Sequence, residues 1–325
     1  MRRSIAITGA TGFVGGVLLT RLAAADWRIR ALFRPGSLHK RPSHGNTEWI
    51  PGDLEDGESL RRLVAGVDAV VHCAGIVRGA TRRDFEKINV EGAARLVSAA
   101  REQYPEPRFF FISSLAAREP HLSHYAASKR KGERTLAADA GPMPWVIFRP
   151  TAVYGPGDRE LLPVFRWMCR GIAPVIGSPG KRISLLYVED LAEAVLCCLK
   201  RGADRGRTYE VHDGHAGGYS WEDIIDVVAR VNGRKIHRIK VPLSLARLGA
   251  AFNLVAARLL GRAPMLTPGK VNELVHPDWV GDNAALTGDT GWLPRVSLEE
   301  GLRQTLRQDG SAGCGISIRE QRKAR

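Results

Sequence analysis

A tyrosine and a lysine stand four residues apart in the stretch "HYAASKRKGE", as Tyr125 and Lys129. A helix would place both on one face. A free phenol has a pKa of about 10 and is a poor base at neutral pH, but a nearby ammonium group favours the phenolate. Ser114 ends the apolar stretch "RFFFISS" eleven residues earlier, and its hydroxyl can donate a hydrogen bond to a carbonyl oxygen. We therefore predict that Tyr125 gives or takes a proton at a carbonyl or alcohol oxygen.

A glycine-rich turn lies near the start of the chain, in "ITGATGFVGG", directly after an apolar run. Gly9 permits a tight turn, Gly12 lets the backbone approach a ligand, and Gly15 lets a helix pack on the strand. A strand that ends in such a turn and leads into a helix collects backbone N–H groups and the helix dipole at one point, where a pyrophosphate can bind. The alternative is a tight strand-to-helix turn without a ligand, because the glycine motif alone has low specificity.

The end of the second strand candidate favours one cofactor. The sequence reads "IRALFRPGSLHKR", with Arg34 at the strand end, Lys40 and Arg41 nearby, and no carboxylate. An acidic residue at this point binds a ribose 2′-hydroxyl, whereas an arginine accommodates a 2′-phosphate. We therefore expect NADP(H) rather than NAD(H); the alternative is a solvated basic loop.

The first 155 residues alternate strand-like and helix-like segments, which indicates a parallel sheet with helices on both faces. The strand candidates are Ser4–Thr8, Arg28–Arg34, Thr47–Ile50, Ala69–Cys73, Arg108–Ser113 and Trp145–Arg149. The helix candidates are Phe13–Ala25, Glu58–Val64, Asn89–Glu102, Tyr125–Ala138, Val188–Lys200 and Trp221–Val231. After Tyr154 the pattern becomes irregular and rich in glycine and proline.

Several stretches together resemble the extended short-chain dehydrogenase/reductases, the NAD(P)-dependent epimerase/dehydratase superfamily. They extend from about Ile5 to Leu306 and read "TGATGFVG", "GDLED", "VVHCAG", "INVEGAARLV", "FISS", "YAASKRKGE", "FRPTAVYGPGD", "LLYVEDLAEAV" and "TGWLPRVSLEEGL". The resemblance implies an α/β fold with a Rossmann-type, doubly wound parallel sheet and a smaller C-terminal substrate-binding subdomain. We predict a dinucleotide-binding core over 1–155, to which 181–200 returns, a mainly substrate-binding part over 156–308, and a loose basic tail over 309–325.

The resemblance also implies roles for individual residues. Ser114, Tyr125 and Lys129 would form a catalytic trio, with Lys129 also binding the nicotinamide ribose. Asn89 would support the helix that carries Tyr125, and Tyr154 would lie at the edge of the substrate pocket. The residues expected to bind the cofactor are Gly9, Thr11, Gly12, Phe13, Val14, Arg34, Asp53, Leu54, Ala74, Gly75, Tyr125, Lys129 and Pro150.

Two features argue against a nucleotide sugar as the substrate. The separation of Ser114 and Tyr125 is short beside nucleotide-sugar enzymes of the superfamily. Those enzymes usually carry an Arg-Asp-aromatic element before the "VED" helix, but here Ile183 follows Arg182. The branches that the chain resembles act on hydrophobic ketones or alcohols and include 3β-hydroxysteroid-type dehydrogenases and bacterial reductases of oxidised ceramide. We therefore expect hydride transfer between nicotinamide and a keto-lipid.

The segment 234–270 contains eight Lys or Arg residues and no Asp or Glu. Within it, Leu243–Leu260 is nearly all apolar apart from Arg247 and Arg258, which lie about 20° apart around a helix. Two interpretations remain open: a helix on the surface of an acidic membrane, or a buried helical lid with two snorkelling arginines.

Composition excludes some classes of protein. The 325 residues are 44% hydrophobic and 25% charged, typical of a globular protein, and no apolar run is long enough to span a membrane. Neither a signal peptide nor a metal-ligand pattern is apparent, and five cysteines without a CxxC pair indicate reduced thiols. The net charge of +14 suits phosphate-bearing cofactors and acidic lipids, and no motif indicates nucleic-acid binding. We expect a cytoplasmic protein, with peripheral contact on the inner face of the membrane.

Two other functions stay open. One is a nucleotide-sugar epimerase or dehydratase. The other is a non-catalytic, NADPH-binding structural subunit like the accessory subunit of respiratory complex I that belongs to this superfamily. The intact set of Ser114, Tyr125 and Lys129 favours an enzyme. A homodimer formed through two helices per subunit is common in the superfamily, and it too is an expectation.

Overall fold

The computed structural model describes residues 3–42, 44–177, 180–201 and 206–309. The predicted basic tail therefore lies, from residue 310 onward, outside the described residues. The strands are β1 (Ser4–Thr8), β2 (Arg28–Phe33), β3 (Thr47–Pro51), β4 (Ala69–His72), β5 (Arg108–Ile112), β6 (Trp145–Pro150), β7 (Ala152–Tyr154), β8 (Ile172–Ile176), β9 (Arg182–Ile183), β10 (Leu185–Tyr187), β11 (Arg207–Val211), β12 (His237–Val241) and β13 (Asp278–Trp279).

The helices include all six candidates, five of them within one residue of their predicted bounds and the candidate 89–102 starting only at Ala93, together with helices that the sequence analysis did not identify. They are α1 (Phe13–Ala24), α2 (Gly57–Val64), α3 (Arg82–Glu86), α4 (Ala93–Arg101), α5 (His124–Asp139), α6 (Leu162–Cys169), α7 (Val188–Arg201), α8 (Trp221–Asn232), α9 (Leu243–Leu259), α10 (Pro268–Val275), α11 (Ala284–Thr290) and α12 (Leu298–Gln308). Short 3-10 helices cover Pro35–Lys40 and Leu115–Arg118, and Lys87–Gly92 forms a π-helical turn between α3 and α4.

A parallel sheet forms the core, as the sequence predicts. Across the described residues its seven strands stand in the order β11-β6-β5-β4-β1-β2-β3. The central strands are runs of apolar residues because helices cover both faces of the sheet. The chain reverses its direction of winding between β1 and β4, and ligands of doubly wound sheets bind outside the carboxyl ends of the strands at such a point.

The chain returns to this sheet after residue 155. Helix α7 packs against α1, and Leu191, Val195 and Leu199 lie fully buried in the same apolar core as Ile5. Strand β11 pairs with β6 and completes the sheet, although the sequence analysis did not identify it. The assignment of residues 181–200 to the dinucleotide-binding core stays a prediction.

The other strands that follow β6 lie outside the seven-stranded sheet. Small parallel pairs join β7 to β10, β8 to β12 and β9 to β13. Helices α6, α8 and α12 enclose a separate apolar cluster that contains Tyr154 and Tyr187. In the described part of the chain, no helix is both long and apolar enough to cross a membrane.

Candidate active site

The glycine turn after β1 is as tight as its sequence predicts. Gly9 has a φ of 74°, and a Cβ there would lie 2.6 Å from the backbone nitrogen of Ala74. A Cβ on Gly15 would lie 2.1 Å from the carbonyl oxygen of Gly9, so only glycine lets α1 pack this closely on the turn. Gly12 precedes α1 in an extended conformation and gives it no side-chain cap. The turn therefore leaves first-turn N–H groups of α1 for an anionic ligand.

The other residues expected at the cofactor lie around this turn. Thr11, Phe13 and Val14 belong to it and are half-buried. The Thr8 hydroxyl accepts a hydrogen bond from the N–H of Ala74 at 3.2 Å, so the turn is tied to the segment that follows β4. A Cβ on Gly75 would lie 3.8 Å from the Lys129 ammonium nitrogen.

Other residues expected to bind the cofactor lie at or just after the carboxyl ends of strands. Arg34 is exposed directly after β2, and Pro150 is buried as the last residue of β6. Asp53 accepts hydrogen bonds from the N–H groups of Glu55, at 2.7 Å, and Asp56, whereas Leu54 is buried. The Arg41 guanidinium lies 4.5 Å from the Phe33 ring centre, and the side chain of Lys40 lies outside the described part. The cradle around Gly9, Gly12 and Gly75 fits the phosphates and ribose of a dinucleotide.

The predicted catalytic residues meet where β5 ends and α5 begins. Ser114 caps the 3-10 helix that follows β5, with its hydroxyl accepting a hydrogen bond from the N–H of Ala116, and that hydroxyl is close enough to the Tyr125 phenol to lower its pKa. Tyr125 is the second residue of α5, which begins after the capping residue Ser123. The structure therefore brings Ser114 close to Tyr125 at the start of α5.

Lys129 lies one turn further along α5, on the side of the glycine turn. Its ammonium donates a hydrogen bond to the carbonyl of Ile112 at 2.7 Å and lies 5.0 Å from the centre of the Phe111 ring. Burial lowers the pKa of Lys129 to about 8, against the opposite influence of Cys73 and Glu133. The amine can therefore change its charge close to neutral pH.

Burial raises the pKa of the Tyr125 phenol, while the hydrogen bond to Ser114 and the positive charge of Lys270 act to lower it. Lys270 belongs to α10 and was not identified from the sequence. Glu273 and Glu160 oppose it, and both raise the pKa of the phenol. The sequence argument assigned the helpful ammonium charge to Lys129, whereas the cation that lowers the pKa of Tyr125 in the structure is Lys270, from the C-terminal part of the chain.

Helix α10 reaches Tyr125 because it packs on the start of α5. A Cβ on Gly269 would lie 2.9 Å from the Cβ of Ser123, so glycine permits the approach. The Glu273 carboxylate accepts hydrogen bonds from the Ser123 hydroxyl and, at 2.9 Å, from the Lys270 ammonium. The local signals in the sequence were Gly269 and the i,i+3 pair of Lys270 and Glu273. Neither signal indicates that Lys270 acts on Tyr125, which lies 145 residues earlier in the chain.

Asn89 supports α5, as the resemblance implies. Its amide bonds both the N–H and the carbonyl of Ile76, at 2.9 and 3.0 Å, and donates to the Ser128 hydroxyl at 2.9 Å. The buried side chain thus joins the segment after β4 to α5. A Cβ on Gly132 would lie 2.5 Å from the Asn89 carbonyl oxygen, so α5 and the π-helical turn are in close contact.

Two other residues singled out in the sequence, His72 and Tyr154, are fully buried. His72 is fully buried, its Nδ1 lies 2.7 Å from the Thr8 hydroxyl oxygen, and burial lowers its pKa to about 3, so it is a neutral packing residue. The expectation that Tyr154 edges the pocket is wrong. Tyr154 is fully buried, because Gly301 on α12 has no side chain where the phenol ring lies.

Comparisons with known proteins agree with this arrangement. Residues 5–211 match the profile of the NAD dependent epimerase/dehydratase family. Ceramide reductase of Caulobacter vibrioides (strain NA1000 / CB15N) is 36% identical over 314 residues, which cover 96% of each protein. The 3-beta-hydroxysteroid dehydrogenase of Mycolicibacterium neoaurum is 25% identical and covers 93% of this chain and 90% of the relative.

A solved structure shows the same fold. The UDP-glucuronic acid 4-epimerase from Bacillus cereus, in complex with UDP-glucuronic acid and NAD, matches with a TM-score of 0.73 at 18% identity. The match covers 95% of this chain and 99% of the epimerase chain. At this identity the likeness establishes the architecture, and the substrate has to be argued from the residues.

Proposed function

The chain belongs to the NAD-dependent epimerase/dehydratase family, whose typical cofactor is an NAD(P) nucleotide, and from this premise we propose that it is a keto-lipid reductase or dehydrogenase. It transfers a hydride between nicotinamide and the carbonyl or hydroxyl carbon of a ceramide- or steroid-like substrate. The observation that carries the proposal is that the Ser114 hydroxyl acts on the buried Tyr125 phenol, with the buried amine of Lys129 one helical turn further along α5.

The side chains divide the work of carbonyl reduction. The bound nicotinamide cofactor supplies the hydride when the ketone is reduced. Ser114 donates a hydrogen bond to the carbonyl oxygen and so polarises it, and Tyr125 delivers its phenolic proton to the same oxygen. In the reverse direction the Tyr125 phenolate accepts the proton of the alcohol. Lys129, one turn further along the same face of α5, holds the nicotinamide ribose.

We propose NADP(H) as the cofactor of this enzyme in preference to NAD(H). Arg34 stands exposed at the end of β2, the point where a 2′-phosphate would lie, and no carboxylate follows the strand. Gly9, Gly12 and the uncapped start of α1 hold the pyrophosphate through backbone N–H groups.

A lipid substrate is supported by a relative and by the site. The relative that is 36% identical over nearly the whole chain is named ceramide reductase. Leu115, Ala116, Ala126 and Trp279 form a buried apolar cluster against which Tyr125 packs, so the surroundings of the phenol are apolar. Arg182, which Ile183 follows in place of the Arg-Asp-aromatic element of nucleotide-sugar enzymes, forms an ion pair with Asp223 on the surface of α8 at 3.1 Å. A lipid substrate also fits a cytoplasmic enzyme that meets the inner face of the membrane.

Turnover by the purified full-length protein tests the substrate class. We expect NADPH to be oxidised with long-chain keto-lipids such as oxidised ceramide, and not with UDP- or dTDP-sugars. Turnover on sugars alone would reject the lipid proposal in favour of a nucleotide-sugar epimerase or dehydratase.

Replacing Tyr125 by Phe separates an enzyme from a structural NADPH-binding subunit. We expect kcat to fall about 100-fold or more, because the proton donor is lost, while the affinity for NADPH changes little. Tyr104→Phe is the matched control, since Tyr104 is 97% exposed and lies between α4 and β5, outside the candidate site. A wild-type protein that binds NADPH and turns over none of the substrates would instead be a structural subunit.

A further inference from the structure

Helix α9 exposes a continuous apolar stripe to solvent. The stripe consists of Leu245, Leu248, Phe252, Val255 and Leu259, whose exposed fractions range from 55% to 82%. They recur at intervals of three and four residues, so all five lie within about 80° around the helix. A soluble surface helix ordinarily turns such a stripe toward the core.

The opposite side of α9 is the one that packs on the protein. Ala246, Ala250 and Ala257 are buried there, at most 6% exposed, and they lie about 160° from the centre of the apolar stripe. Small residues let the helix lie close to the protein body, where Val271 of α10 belongs to the same cluster. Helix α9 is therefore not a buried lid, because its large apolar residues face outward.

The charged residues of the segment that carries the stripe are all positive. Arg247 and Arg258 are exposed and lie on one side of it, about 100° to 120° from its centre. No Asp or Glu occurs between Arg234 and Lys270. We propose that the apolar stripe of α9 docks the protein on an anionic lipid bilayer, with the stripe among the acyl chains and the arginines at the headgroups.

The charges argue against a second copy of the chain as the occupant. The spacing of the stripe would also suit a short coiled coil, but it extends over only two heptads, fewer than stable pairing needs. Two copies packed through this face would bring Arg247 and Arg258 of each helix together with no carboxylate to pair with them. A bilayer that contains phosphatidylglycerol supplies those negative charges.

Docking through α9 would bring the candidate active site to the lipid. The Arg258 guanidinium donates a hydrogen bond to the carbonyl of Ala80 at 3.2 Å, in the loop between β4 and α3. Arg78 in that loop pairs with Glu160 at 2.8 Å, and Glu160 acts on the Tyr125 phenol. Helix α9 thus lies on the side of the molecule that holds the site, although the docking inference itself does not depend on the proposed reaction.

Flotation with vesicles tests the proposal on the full-length protein. We expect it to float with vesicles of phosphatidylcholine and phosphatidylglycerol, far less with phosphatidylcholine alone, and less at high salt. The double variant Leu248→Glu/Phe252→Glu should reduce binding to the anionic vesicles by about tenfold or more. Leu293→Glu, at a leucine 63% exposed outside α9, should bind like the wild type.

The wild type and both variants keep residues 310–325, so any binding by that basic segment is common to all three. Each contrary result is therefore decisive. Equal binding by the double variant and the wild type would overturn the proposal, as would a wild type that stays unbound. A concentration-dependent dimer that the double variant abolishes, without vesicle binding, would assign the stripe to self-association instead. Reduction of a water-soluble short-chain ketone should be the same in wild type and double variant, so that a failure here is distinct from failure of the proposed reaction.

Discussion

Tyr125 lies between charges that come from distant parts of the chain. Lys270 and Glu273 approach it from α10, and Glu160 approaches from the segment before α6. The Ser114 hydroxyl acts to lower the pKa of the phenol, and Lys129 stands one helical turn further along α5, bound to the Ile112 carbonyl. The proton affinity of the phenol thus depends on how α10 packs against α5.

Replacing Lys270 by Met should shift the pH dependence of the reaction. Lys270 lowers the pKa of Tyr125, so its loss raises that pKa, and the unpaired Glu273 carboxylate acts in the same direction. In alcohol oxidation the phenolate accepts the proton. The rising limb of kcat/KM against pH should therefore move to higher pH.

The matched variant for this prediction is Lys270→Arg, which keeps the positive charge and should keep the limb at its wild-type position. A purely structural role would lower activity by a constant factor at every pH. An unshifted limb in Lys270→Met would therefore remove Lys270 from the account of Tyr125.

Arg34 should decide the choice between the two cofactors. If its guanidinium pairs with a 2′-phosphate, Arg34→Ala loses a charged hydrogen bond of about 1.5–3 kcal/mol, a ten- to roughly hundredfold weaker affinity for NADPH. The affinity for NADH should be nearly unchanged. Arg28→Ala is the control, because Arg28 is also exposed but lies at the amino end of β2, whereas Arg34 follows its carboxyl end. Isothermal titration with both cofactors measures the ratio, and a parallel loss for both would contradict the assignment.

Adjacent glycines at the start of α1 face different surroundings. A Cβ on Gly15 would lie 2.1 Å from the carbonyl oxygen of Gly9, which is backbone and has little freedom to move. A Cβ on Gly16 would have its nearest neighbour, the Ala10 carbonyl oxygen, at 3.6 Å. The first glycine is therefore required by packing against the turn, and the second is not.

Alanine at these two positions should have opposite effects. Gly15→Ala forces the turn and α1 apart, and we expect a loss of about 1–3 kcal/mol in the free energy of unfolding, together with weaker NADPH binding. Gly16→Ala should leave binding intact and raise stability by up to about 1 kcal/mol, because alanine favours the helix. Thermal melts and titrations of both variants compare the two positions. Equal behaviour would mean that the turn relaxes around the added methyl group.

Local patterns in the sequence were sufficient for much of this structure. The glycine turn, the Tyr125–Lys129 spacing and the central strands each depend on neighbours in sequence, and their predicted bounds agree with the structure within a few residues. Helix 89–102 was predicted as continuous, whereas its first part is the π-helical turn that holds Asn89. Such turns are rare inside helices, so a helical pattern alone does not predict one.

Features that depend on distant residues could not be predicted. Strand β11 lies at the edge of the sheet, where only Tyr209 and Val211 are buried, so its short run gives a weak strand signal. Lys270 acts on Tyr125 only through the packing of α10 on α5. Arg247 and Arg258 suggested a membrane surface or a lid equally, because the sequence gives the faces of α9 but not which of them meets the protein.

At the scale of the whole molecule, the sheet depends on chain from beyond residue 155. Helix α7 covers one face through Leu191, Val195 and Leu199, which are fully buried, and β11 pairs with β6 along the sheet edge. Each buried leucine or valine contributes roughly 1.5–3 kcal/mol relative to exposure, comparable in total to the stability of a whole domain.

A fragment that ends at residue 155 should therefore not fold alone. Without α7 and β11 it exposes the face of α1 that α7 covers, and it leaves the hydrogen-bonding groups of β6 at an open edge, which favours aggregation. We expect a broad, non-cooperative thermal transition for 1–155, whereas 1–309 should melt cooperatively and bind NADPH. The fragment 1–211, which contains α7 and β11, is the intermediate case and should recover part of the cooperativity. A cooperative melt of 1–155 with intact NADPH binding would show instead that the first six strands form an independent domain, with the later elements added to a core that is already complete.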